Sequence, residues 1–296
     1  MTEQEYYLFL QQDEANLEYK YIDLEYAKKG TSGYRYIFEY LNEHTRLKDI
    51  YNLENIAGND STLSKALNIM QWLSDRTYYC GQSNLSGVEV FSILEYALKG
   101  GFDHAIRCDQ KSVALSECLL AVNIFAYPVM LESYDYNDSG NVITGINCHN
   151  VTHIYLPEEE KWIMFDPSFN AFFTDGNGKI LNIIEIKDTL KKREPVILSQ
   201  YSLNGHDDIF RKKYPYDFIY NLSFRISVWD GNNPANWFYN KNLLYPDSID
   251  KQKYYVMKQR ANGGNENDIN ASISSIKYIF TDELLAVPSF NAQRTE

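Results

Sequence analysis

The sequence predicts an α+β fold in which a buried helix packs on an antiparallel sheet. Three observations predict it. Apolar positions recur at helical spacing up to about residue 122, the period then changes to runs rich in Val, Ile and aromatics, and a Pro-Glu-Glu turn separates two of those runs.

Taken in order, residues 1–58 read as a helical, strongly charged N-terminal lobe. Within it, Tyr34 to Leu41 carry apolar positions at helical spacing. Gly58-Asn59-Asp60-Ser61 is a turn cluster, after which Ser61 or Thr62 can cap a helix over 63–73. A second helix is expected over 87–99, stopped by Gly100-Gly101. A third starts near Cys108, runs to about Val122 and is apolar over most of its circumference, which argues for a buried central position.

Extended segments follow at 128–133, 148–156 and 161–165, then a turn at Asp175-Gly176-Asn177-Gly178 and a helix over 183–192. Beyond residue 215 the reading is mostly strand, at 217–229, 253–259 and 276–281. The chain therefore divides into the lobe 1–58 and a domain 59–296 with a strand-rich C-terminal part.

Composition excludes several classes. The chain has 296 residues, enough for a sizeable core, and a formal net charge of −12. Nucleic-acid phosphates and anionic membranes would be repelled, so neither is an expected partner. No apolar window is long enough for a membrane span, and no signal-peptide pattern is visible, so the expected location is cytoplasmic. The 25 tyrosines suit a partly exposed aromatic surface, or one that binds a peptide or glycan.

The most specific chemistry lies around the hairpin turn Leu156-Pro157-Glu158-Glu159, which suits a type I turn. Symmetric pairing about it sets Tyr155 opposite Glu160, His153 opposite Trp162, Val151 opposite Met164 and His149 opposite Asp166. Alternation then puts His149, Val151 and His153 on one face beside Trp162, Met164 and Asp166, and the apolar members mark this face as packing inward. An Asp so placed accepts the imidazole N–H, fixing its tautomer and stabilising an imidazolium.

Such a His needs a nucleophile, and four cysteines are available. Cys148 adjoins His149 and points to the other face of a strand. Cys118 lies mid-helix as a small core residue, and Cys80 sits in a loop. Cys108 begins the buried helix, in one stripe with Ser112, Leu115, Leu119 and Val122. A helix N-terminus offers free backbone N–H groups and positive partial charge, both of which favour a thiolate. Cys108 is the expected nucleophile. A zinc site from Cys108, His149 and His153 lacks a fourth ligand, so no metal and no cofactor is expected.

The stretches Cys108-Asp-Gln-Lys-Ser-Val-Ala-Leu-Ser-Glu-Cys-Leu-Leu-Ala, Cys-His149-Asn-Val-Thr-His-Ile-Tyr and Lys-Trp162-Ile-Met-Phe-Asp166-Pro-Ser resemble the bacterial transglutaminase-like superfamily, clearly over 63–198. The resemblance implies a papain-related core with Cys108, His149 and Asp166 as a catalytic triad. It implies acyl transfer or hydrolysis on a peptide or protein amide through a Cys thioester, with an amine as a possible acceptor. Trp72, Tyr78 and Tyr79, on the segment before the core helix, are candidates for the oxyanion site or cleft. Two positions depart from the family pattern. Asp109 stands where Arg commonly follows the nucleophile, and Asn123-Ile-Phe-Ala replaces a Gly-Ile-Pro turn. An anion at 109 opposes thiolate formation, so a catalytically silent peptide- or glycan-binding scaffold is the alternative reading.

Overall fold

The computed structural model describes residues 37–39, 42–133, 147–192, 194–199, 225–229, 241–244, 277–279 and 285–291. A first strand β1 (Ile37–Glu39) precedes helices α1 (Asn42–Tyr51), α2 (Leu53–Ala57), α3 (Thr62–Arg76), α4 (Val90–Ala97) and α5 (Cys108–Ala121). Strands β2 (Ala126–Ser133), β3 (Asn147–Leu156), β4 (Lys161–Asp166) and β5 (Ala171–Asp175) follow. The chain then forms α6 (Ile183–Lys191), β6 (Val196–Ser199), β7 (Arg225–Trp229), β8 (Lys241–Leu244), β9 (Lys277–Ile279) and β10 (Ser289–Asn291).

Eight strands form one sheet in the order β6-β5-β4-β3-β2-β7-β8-β9, antiparallel throughout except for the parallel pair β8–β9. Helices and a mainly antiparallel sheet make this an α+β fold. No helix among the described residues is long and apolar enough to cross a membrane.

Local chemistry sets where the helices start and stop. Ser61 caps α3 by accepting the Ser64 N–H. Helix α4 is shorter than the expected 87–99, because the Glu89 carboxylate accepts from the amides of Phe91 and Ser92 and so fixes the start at Val90. Its exit passes through Gly100 and Gly101, both at positive φ, which glycine adopts without steric cost. The helical reading of Tyr34–Leu41 is corrected at Ile37–Glu39, which pair in parallel with Ser289–Asn291. A partner strand from the far end of the sequence overrides the local period there. The expected strand 253–259 lies outside the described residues.

Helix α5 is buried from Gln110 to Ala121. It is held on one side by α3, α4, Leu47 of α1 and Leu53 of α2, and on the other by Ile154, Leu156, Ile163 and Phe165 of the sheet. Polar groups lock it there too. Ser112 Oγ donates to the Val151 carbonyl at 2.6 Å and lies 2.9 Å from Thr152 Oγ1. His44 of α1 meets Glu117 of α5 at 2.9 Å, both buried. The opposite sheet face, with Val129, Val151, Trp162 and Met164, is covered by Ile183 and Ile186 of α6. Both faces are thus buried, and apolar residues alone do not pick out the one that meets α5.

Trp162 anchors the second face. Its indole N–H donates to the Ala286 carbonyl at 2.9 Å, and its ring packs on Tyr127 and Tyr155. Trp162→Ala should lower the unfolding free energy by about 3–5 kcal/mol, the usual cost of emptying so large a buried volume. A denaturant midpoint within error of the parent would contradict this role.

Candidate active site

The β3–β4 hairpin corrects the expected register by two residues. Leu156 O accepts from Glu159 N at 3.2 Å, so the first turn forms where expected, but Pro157 O then accepts from Glu160 N at 3.4 Å. Glu160 sits at φ 49°, and the loop closes on the pair Leu156–Lys161. Tyr155 therefore faces Trp162 and His153 faces Met164, with Thr152–Phe165 as the last pair. An even slip keeps Trp162 and Met164 on the same face as His153 and Val151, the face that α6 covers. The strand pairing ends before His149 and Asp166, which are therefore not directly opposed, yet their side chains meet. His149 Nε2 lies 3.0 Å from Asp166 Oδ2, with both residues buried.

Asp166 is itself positioned. Its Oδ1 accepts the Ser168 N–H at 2.9 Å, in the turn where Phe169 N donates to the Asp166 carbonyl. That turn swings Phe169 over the imidazole, stacked at 5.7 Å between ring centroids, while Tyr79 meets its edge at 6.3 Å. With Nε2 taken by the carboxylate, Nδ1 is left for the sulfur. The Cys108 side chain packs against the Tyr79–Phe169–Ala171 cluster and hydrogen-bonds with the His149 imidazole.

Burial pushes the Cys108 thiol up, yet its pKa is lowered overall. The charge of His149 and its hydrogen bond outweigh burial and the Asp109 carboxylate, and the Asn150 backbone N–H adds to them. Asn150 also directs its side-chain Nδ2 at the sulfur, 3.8 Å away. Asp109 is not a free anion. Arg107 grips it with Nε at 3.0 Å and Nη2 at 2.9 Å, which offsets the charge the sequence sets beside Cys108.

The start of α5 is fixed from two directions. Ile106 N donates to Tyr78 O and Cys80 N to Ile106 O, stitching the segment 78–80 to the residues just before Cys108. Gln110, fully buried, accepts the Arg107 N–H and donates to the carbonyls of Leu85 and Gly87.

Of the oxyanion or cleft candidates, the structure brings Tyr79 to the imidazole. Tyr78 packs on Phe102 at 5.8 Å. Trp72 is a core residue of α3, against Tyr51 at 6.0 Å and under Arg76, and is not brought to the thiol. Among the other cysteines, burial pushes the fully buried Cys118 thiol up, and Cys80 donates its S–H to Gln82 O. The Cys148 side chain lies outside the described residues.

The zinc set does not assemble. His153 lies 2.9 Å from the Tyr127 hydroxyl through Nδ1, and its Nε2 accepts the Ile183 N–H at the start of α6. Burial pushes its pKa down to about 3, so it is a neutral structural imidazole. Among the described residues no group of three or more His, Cys, Asp or Glu is placed to hold a metal. Two other histidines have structural partners: His44 has Glu117, and His104 bonds Gly100 O at 2.9 Å. His206 lies outside the described residues.

Sequence reasoning did not single out Asn150, Phe169, Arg107 or Gln110. Asn150 and Arg107 adjoin predicted site residues, which is the one signal the sequence carries for them. Phe169 reaches the ring only through the turn after Asp166.

No family model matches this sequence, and no curated protein matches it. The chain is similar to a solved structure described as a “putative cysteine protease” from Cytophaga hutchinsonii, at 17% identity and a TM-score of 0.31. That likeness covers 54% of this chain and 50% of the other, so the match spans half of that protein's length. At this level it carries no argument about activity, which rests on the residues themselves.

Proposed function

We propose that this protein is a cysteine enzyme of transglutaminase-like, papain-related type, acting on a peptide or protein amide through a thioester on Cys108. The observation that carries the reading is the chain of contacts from a half-buried sulfur to a buried imidazole and carboxylate, set at the first residue of a buried helix.

The chemistry follows from these groups. The Cys108 thiolate attacks the amide carbonyl carbon, and the carbonyl electron pair moves to oxygen. That oxyanion is met by the Cys108 backbone N–H at the helix start, with the Asn150 amide beside it. His149, as imidazolium, gives its proton to the departing amine, the C–N bond breaks and the thioester forms. An amine or a water then attacks, losing its proton to His149, and the thiolate leaves. An amine gives acyl transfer and water gives hydrolysis or deamidation. Asp166 keeps Nδ1 on the sulfur side and balances the imidazolium charge throughout.

The silent-scaffold reading drew on Asp109, and the Arg107 clamp on that carboxylate weakens it. An activity probe tests the proposal. Iodoacetamide at pH 6–7 should label Cys108 stoichiometrically and faster than free cysteine, located by peptide mass spectrometry, because a lowered thiol pKa raises the thiolate fraction. Labelling no faster than that of free cysteine would remove the enzyme reading.

A further inference from the structure

Lys111 takes no part in the chemistry above, yet it lies one turn beyond Cys108 on α5 with only 1% of its surface exposed. Its Nζ makes a hydrogen bond to the Thr77 carbonyl at 3.2 Å. Its charge interacts with the Asp166 carboxylate of the sheet and with the Cys80 thiol of the segment 77–80. Burying an ammonium without a direct carboxylate contact is costly, and an apolar side chain there would be the cheaper choice for stability. The charge therefore calls for a reason in its surroundings.

That reason is visible when the charges of the site are counted in its reactive form. Thiolate, imidazolium and carboxylate together carry one net negative charge, in a region where burial makes an uncompensated charge expensive. Arg107 does not relieve it, since Asp109 already neutralises the guanidinium. Lys111 is a buried cation whose charge interacts with that of Asp166.

We propose that Lys111 is a positioning residue of this site, its buried ammonium supplying the charge that leaves the thiolate–imidazolium–carboxylate set electrically neutral. The proposal rests on the triad reading above and extends it to a residue outside the triad. It also fixes an upper bound on pH. Burial lowers the ammonium pKa to about 8, opposed by Asp166 and Cys80, so the compensating charge is present at neutral pH and is lost above about pH 8.

The test compares Lys111→Met and Lys111→Arg with the wild type, following Cys108 alkylation against pH and thermal unfolding against pH. Removing a cation raises the pKa of thiol and imidazole alike, so both limbs of the Met variant's profile should move up together by about one unit. Alkylation at pH 6.5 should fall about three- to tenfold, and Lys111→Arg should keep the wild-type profile. The melting temperature of Lys111→Met at pH 7 should equal or exceed that of the wild type. From pH 8 to 10.5 the unfolded wild-type chain binds more protons at Lys111 than the folded one. Wild-type stability should therefore gain with pH across that window, and the Met variant should lack the gain. A Met variant that fails to fold, or one with an unshifted alkylation profile, overturns the inference and leaves the triad intact. A wild-type Cys108 that is inert at every pH overturns both.

Discussion

Replacing His149 by Ala is expected to slow iodoacetamide labelling of Cys108 at pH 6.5 by about 100-fold or more. A thiol with its ordinary pKa near 8.5 is only about 1% thiolate at that pH. Here burial alone would hold it higher still, and the lowering traces to the charge and hydrogen bond of His149. Removing the imidazole deletes both and leaves the Asn150 N–H groups as the sulfur's remaining support. The cavity left between Tyr79 and Phe169 costs some stability, so the comparison needs a melting curve that shows a folded variant. Labelling at near wild-type speed in a folded His149→Ala protein would mean the imidazole does not activate the sulfur.

The sequence made the centre of the fold legible and its edges much less so. Helix α5 and the β3–β4 hairpin were readable because their periods are strong and local, and their start and stop signals lie within a few residues. Ile37–Glu39 was not, since its partner Ser289–Asn291 lies at the other end of the chain and no local pattern encodes a parallel pairing. The hairpin register slipped because Glu160 adopts a positive φ, which a glutamate does not advertise as a glycine would. The alternation survived because the error was even, but the face of Val151, Trp162 and Met164 meets α6, while α5 packs on the other. A helix read as apolar over most of its circumference also carries buried Lys111, Ser112 and Glu117. Periodicity treats such residues as solvated, whereas each finds its partner across the sheet, on α1 or on the segment before α4. Asn150 and Phe169 reach the sulfur and the ring only through three-dimensional convergence at the end of the sheet.

Asp166→Asn separates orientation from mere packing, because the amide keeps the shape of the carboxylate. In the parent, Oδ1 accepts the Ser168 N–H while Oδ2 meets His149 Nε2. An amide can satisfy the Ser168 N–H only by keeping its oxygen there, which turns its NH2 toward the imidazole. Nε2 must then accept, so the ring proton moves to Nδ1 and faces the thiol as a donor. The imidazole can no longer take the thiol proton, and the imidazolium loses its counter-charge. Single-turnover acylation of Cys108 by an activated ester should fall by about 100- to 10,000-fold, the scale on which a wrong tautomer acts in other triads. Unfolding should change far less, because the backbone turn through Phe169 N and the stacked Phe169 ring remain. Acylation within about threefold of the parent would show that the carboxylate does not orient His149, and the triad would reduce to a dyad of sulfur and imidazole.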